Sequence, residues 1–213
     1  MINSGIPGTI DKRDREVNVV VSRYNNNTDW VYKLPNISHF YIYDKENPTN
    51  QYNIPVNKGN EASVYLKYII DHYETLADYT FFIHDEEYAW HHSGSIIERF
   101  REATSSNKLY YNINDKCVLG SIVSNGWYDE ILMWYDAYVE KYIPMRSLSN
   151  KDWTNNHRGS AQFLVHKSII QKLPLEFYTN LYDWLIVTDL ASSKSGRFLE
   201  WSWHIFWDIY PNL

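Results

Sequence analysis

The chain has 213 residues, a formal net charge of −6, a single cysteine, and an aromatic load of 9 Trp and 19 Tyr. That length suits one domain with a real core, and a hydrophobic fraction of 44% with 22% charged residues is that of a globular protein. The acidic balance with no Lys/Arg block argues against nucleic acid as a partner, no run approaches the ~18 apolar residues of a membrane span, and the lone Cys117 allows no internal disulfide.

The stretch from Met1 to Glu16 is polar and lacks the apolar region of a secretory signal, so the expected compartment is reducing and cytoplasmic. Val17 to Ser22 is a β-branched run that reads as a first buried strand. A short helix from Trp30 to Leu34 stops before Pro35. His39 to Tyr43 is a second strand closed by Asp44, and Lys45 to Asn57 is loop. Asn60 is the expected N-cap of a helix whose apolar positions Val64, Tyr65, Tyr68, Ile69, Tyr73 and Leu76 recur at helical spacing. Glu61 suits the positive end of that helix.

Thr80 to Ile83 is the next strand, and it runs straight into His84-Asp85-Glu86-Glu87 and on to His91-His92. Ser93-Gly94-Ser95 opens a helix through Ile96, Ile97 and Phe100. Cys117 to Val123 reads as a strand, Asp129 to Ile143 as an amphipathic helix, and Arg146 to Ser160 as a long loop of the kind that often carries function. Ala161 to Val165 is a strand, followed by helices over His166–Leu173, Leu175–Leu190 and Arg197–Ile209. Strands alternate with helices, so the expected class is α/β in a single domain. Its central sheet is expected to be mostly parallel, with about six strands flanked by helices.

Carboxylates at the end of a buried strand sit where open α/β sheets bind ligands. They repel one another unless a cation or proton offsets the charge, and oxygen ligands suit Mg²⁺ or Mn²⁺. The plainer reading is a solvated acidic turn. Zinc is disfavoured because neither H-E-x-x-H nor C-x-x-C spacing is present. Arg23, Tyr24 and Asp44 stand where a nucleoside would be held, although no Gly-rich fingerprint accompanies them. Lys58 at a helix N-terminus suits pyrophosphate, or is a solvated cation. Trp153 and Arg158 would meet a second substrate, or are ordinary loop residues. Glu200 and His204 are four apart and so fall on one face of the last helix. Glu200 among Trp residues should have a raised pKa suited to a general base, or it pairs with an internal Arg. Trp and Tyr faces would dock sugar rings, though a Tyr-rich core explains the same composition.

These blocks in their order carry a resemblance. They are Val20-Val21-Ser22-Arg23-Tyr24 with Asp29-Trp30, Asn57-Lys58-Gly59, Phe82-Ile83-His84 with Trp90-His91, Gly159 to Val165, and Glu200 with Trp203. The chain resembles a GT-A type glycosyltransferase, closely the small glycosyltransferase domain encoded by chlorella viruses, over nearly its whole length. The resemblance implies a GT-A-like, Rossmann-like fold, a UDP-sugar donor, a Mn²⁺ or Mg²⁺ ion, and a glycan acceptor in viral glycan synthesis. It implies donor contacts from Ser22, Arg23, Tyr24, Asp44, Lys58, His84 and Asp85, and acceptor contacts from Trp153, Arg158 and Gln162. Metal ligands are expected among Asp85, Glu86, Glu87 and His204, and Glu200 is the expected base. The Asp-x-Asp element of such enzymes is here His84-Asp85-Glu86-Glu87, so Asp85-x-Glu87 and His84-x-Glu86 both remain open. A metal-dependent nucleotide or phosphoester hydrolase and a non-catalytic carbohydrate-binding module are the alternative functions.

Overall fold

The structure is a computed structural model that describes residues 15–116, 118–119, 127–144 and 157–209. Three parallel strands form its spine: β1 (Val17–Arg23), β2 (His39–Asp44) and β3 (Tyr79–His84). Val19, Val20 and Val21 are all fully buried, so β1 is covered on both faces. This is why its sequence is a continuous β-branched run rather than an alternating one.

The remaining strands correct the expectation of a mostly parallel sheet of about six. Strand β7 (Phe163–His166) runs antiparallel to β3, and β4 (Tyr110–Asn112) antiparallel to β7. Among the described residues the main sheet thus has five strands in the order β2-β1-β3-β7-β4. The three-residue β4 is too short to show a period in the sequence. The strand expected over Cys117–Val123 is described only as β5 (Val118–Leu119), which pairs with β6 (His157–Arg158) in a separate ribbon.

Six α-helices are described: α1 (Ala62–His72), α2 (Ile96–Ser105), α3 (Tyr128–Tyr138), α4 (Lys167–Ile170), α5 (Leu175–Val187) and α6 (Ser192–Glu200). None is long and apolar enough to cross a membrane. Ser95 opens α2 with a reciprocal capping box, accepting from the Glu98 N–H while Glu98 accepts from its own. The expected Asn60 cap is absent. Asn60 lies in the left-handed region at φ 55° and Glu61 precedes α1 without a side-chain cap bond. The last expected helix also divides. It ends at Glu200, turns at Trp201–Ser202, and resumes with a π-helical turn at Ile205–Ile209. Glu200 and His204 therefore do not share a continuous helical face.

The aromatic load is mostly core. Tyr65 and Tyr68 of α1, Phe82, Phe163, Tyr178 and the stacked Trp203–Trp207 pair (centroids 4.8 Å apart) fill one face of the sheet. Val19, Val21, Phe81, Ile83, Trp30 and Phe100 fill the other.

Two glycines fix how α6 meets the start of α1. Gly59 has φ +68° and a Cβ there would strike the Leu185 side chain at 2.5 Å. A Cβ on Gly196 would lie 2.8 Å from the Gly59 carbonyl oxygen, a backbone atom that cannot rotate away. Gly196→Ala is therefore expected to destabilise by about 1–3 kcal/mol, the usual cost of forced overpacking. Urea unfolding of the variant checks this, and an unchanged midpoint would mean that the helix can slide without penalty.

Candidate active site

Ser22 and His84 are register partners at the ends of β1 and β3. Beyond them the chain opens a cleft of about 480 Å³ that also takes in Tyr24, Asn26, Lys45, Asn60, Glu61, Asp85 and Glu86. This is the carboxyl edge of the parallel strands, the place the sequence indicated. Two of its residues, Asn25 at φ 74° and Asn60 at φ 55°, are left-handed without being glycine. Such conformations gather at functional sites, and Asn tolerates them best.

Asp85 organises the exit of β1. It is 8% exposed. Its Oδ2 accepts from the Tyr24 N–H at 2.6 Å and the Asn26 N–H at 3.3 Å, and its Oδ1 accepts from Asn26 Nδ2 at 3.2 Å. Its carbonyl accepts from Trp30 Nε1 at 3.3 Å. Arg23 and Asp44, partners across β1 and β2, form an ion pair, and Arg23 Nε donates to the Asn26 carbonyl at 3.0 Å. Tyr24 is left 48% exposed with the Lys45 ammonium 5.6 Å from its ring centroid.

Ionisable groups of the cleft, and Glu200 near its Glu61, are held away from water. His84 Nε2 is buried without a hydrogen-bond partner and lies 3.8 Å from Glu61 Oε2. Burial pushes the His84 imidazole down to about 4, so its ring is neutral at pH 7. Burial raises the Glu61 carboxyl against the opposing pull of Lys45 and Arg197, and it lowers the Lys45 ammonium. Glu200, with its side chain 11% exposed, accepts from the Ser160 N–H at 3.1 Å and pairs with Arg197 at 3.2 Å. Ser160 is itself left-handed at φ 58°. Burial, helped by the nearby Glu61 charge and opposed by Arg197, pushes the Glu200 carboxyl up to about 7. A carboxyl poised there can exchange a proton at working pH. The raised carboxyl and the Arg pair, alternatives in the sequence, are both features of Glu200.

Glu61 and Lys45 are the residues the sequence reading missed as site members. Glu61 was legible only as a helix-dipole acid, because its approach to His84 depends on how α1 packs against the sheet.

Other expected members lie elsewhere. Lys58 donates to the Thr188 carbonyl at 2.6 Å and does not line the cleft. Gln162 is fully buried and makes no surface for an acceptor. Its Oε1 accepts from the His84 N–H at 3.0 Å and its Nε2 donates to Asn114 Oδ1 at 3.2 Å. Asn114 Oδ1 also pairs with His91 Nδ1 at 2.8 Å. Glu86 is exposed on the rim, whereas Glu87 is half-buried with its carbonyl accepting from the Ile96 N–H. His204 lines a second pocket with Arg158. The expected ligand set of Asp85, Glu86, Glu87 and His204 is thus not gathered. Among the described residues no three His, Cys, Asp or Glu are grouped to hold a metal. Trp153 lies outside the described residues.

The buried histidines predict an acid limb in stability. His84 and His91 each fall to about 4 from an ordinary 6.5, through burial first. Their folded pKa values are depressed, so the stability they carry is full above pH 6.5 and lost as pH falls toward 4. The melting temperature should drop over that window. His91→Asn, which keeps a donor for Asn114, should make the drop shallower. Parallel profiles in scanning calorimetry would remove His91 from the cause.

In comparisons with known proteins, the model of one family, described as a protein of unknown function (DUF3431), matches residues 19–211. Neither the curated proteins nor the solved structures gave a match.

Proposed function

The chain belongs to the DUF3431 family, and we propose that it is a glycosyltransferase moving sugar from a UDP-sugar donor to a glycan acceptor with the help of Mn²⁺ or Mg²⁺. The observation that carries this reading is Glu200, a desolvated carboxyl raised to about 7 that feels the charge of Glu61, a lining residue of the polar cleft at the carboxyl edge of the sheet. A base of that strength is suited to take the proton of an acceptor hydroxyl as it attacks the anomeric carbon.

The expected acidic run does not fit a metal as a set. The Glu61 carboxylate suits a hard cation, and the unpartnered His84 Nε2 3.8 Å away is a softer nitrogen ligand that Mn²⁺ would accept more readily than Mg²⁺. One or two protein carboxylates completed by phosphate oxygens and water is the usual arrangement for Mg²⁺. When bound there, such an ion supplies charge neutralisation to the departing UDP. The chain's own groups do the rest. Tyr24 offers an exposed ring to the base, the Arg23–Asp44 pair fixes the ribose side, and Lys45 adds positive charge near the diphosphate. Asp85 holds these in place by ordering the loop from Tyr24 to Asn26.

Thermal unfolding with nucleotides tests the reading. UDP should stabilise the protein in Mn²⁺ and much less in EDTA, by ~2.7 kcal/mol at ~100 times its dissociation constant. Equal stabilisation by UDP, GDP and CMP, or stabilisation indifferent to EDTA, would overturn it. Release of free sugar by water alone, with no transfer to any acceptor, would assign a hydrolase instead.

A further inference from the structure

We infer that the pocket along the outer side of β4 is a subsite for an anionic group on the acceptor, a sugar bearing a carboxylate or a phosphate. This rests on the transferase reading and deepens it. The pocket has a volume of about 310 Å³, at the lower end for small-molecule sites. Lys108 and Arg158 stand on its wall, both near one ring, at 5.7 Å and 5.8 Å from the Tyr111 centroid. Among the described residues neither cation has a carboxylate within ion-pair distance, which is notable in a chain of net charge −6. Arg158 donates to the Asn112 carbonyl at 2.9 Å and lies by the Tyr111 hydroxyl, which leaves other guanidinium donors for a ligand. The Tyr110 hydroxyl is buried behind the same lining, with the Asn112 side chain and Asp208 as its polar neighbours.

The pocket is also tied to the base. Asn112 Nδ2 donates to the carbonyls of Arg158, Gly159 and Ser160 at 3.0, 3.4 and 3.3 Å. The Ser160 N–H in turn donates to Glu200. An acceptor anchored at Arg158 is therefore held by the same short segment that positions Glu200.

Titration of the protein with D-glucuronate, D-glucose 6-phosphate and D-glucose, followed by NMR, tests this. At least one anionic sugar should bind ten-fold or more tightly than glucose, and which one assigns carboxylate or phosphate. Arg158→Met and Lys108→Met, both at exposed positions, should each reduce that preference. No preference for either anion, or a preference unchanged in both variants, overturns the inference. Mn²⁺–UDP stabilisation measured on the same proteins separates the two readings. Its retention in the variants places the subsite apart from the donor cleft. Its absence from the wild type sinks the transferase reading and leaves the anion preference to be judged by the titration.

Discussion

Glu200→Gln is expected to lower transfer at saturating donor by ~10²-fold or more while Mn²⁺–UDP binding stays within a few-fold of the wild type. Gln keeps the shape and the Oε1 that accepts from the Ser160 N–H, so the local backbone has no reason to move. What it loses is the basic carboxylate. The same variant has a stability signature that separates a strained base from a structural ion pair. The Glu200 pKa is raised from 4.5 to about 7, chiefly by burial. A raised folded pKa means that the group's stabilising contribution is full below pH 4.5 and is lost as pH rises through 7. Above pH 7 the wild type carries an ionised, poorly solvated carboxylate that the variant lacks. Glu200→Gln should then be the more stable protein at pH 8, by about 1–3 kcal/mol, and the difference should vanish near pH 4.5. Turnover within a few-fold of the wild type would remove Glu200 from the mechanism. A variant less stable at pH 8 would make the Arg197 pair its real purpose.

The parts of the fold that depend on local pattern were legible in the sequence. β1, β2 and β3 appear as runs of β-branched and aromatic residues, and Ser93-Gly94-Ser95 marks the start of α2. What was not legible depends on contacts between distant segments. The direction of β7 is set by its pairing with β3, Thr80 against Val165 and Phe82 against Phe163, and nothing inside Phe163–His166 encodes it. The break after Glu200 is similarly non-local. Trp201, Trp203 and Trp207 are all buried, and a continuous helix cannot turn them all into one core while holding Glu200 at the sheet edge. Hence His204 fell in the wrong place when read by helical spacing. The site was half legible. Strand ends placed Ser22, Tyr24, His84 and Asp85 at one edge, but Glu61 joins them only through the packing of α1 against the sheet. Gln162 was misjudged because a polar residue beside a loop looks like a ligand contact. Here its amide is used to join β3 to the Asn114–His91 network.

That distinction between binding and holding gives Asp85 a different expected effect from the acids beside it. As a metal ligand alone, Asp85 could be replaced with little harm to the fold, since removing a crowded carboxylate relieves repulsion. As the acceptor of the Tyr24 N–H, the Asn26 N–H and Asn26 Nδ2, it cannot. Asp85→Ala strands those donors in a partly buried turn. Each donor left without a partner costs ~1–3 kcal/mol, and water reaches some of them, so the expected loss is about 2–4 kcal/mol. UDP binding should fall with it, because Tyr24 and Asn26 line the cleft and would no longer be held. Asp85→Asn retains one acceptor oxygen and should lie between the two. Glu87→Gln, outside the cleft lining, should stay within ~0.5 kcal/mol of the wild type. Urea unfolding paired with UDP titration in Mn²⁺ reads both effects. If Asp85→Ala unfolds at the wild-type midpoint yet no longer binds UDP, Asp85 touches the ligand or its cation directly. If it loses stability and UDP binding in parallel, with Asp85→Asn intermediate in both, its carboxylate serves the cleft by holding the turn that forms it.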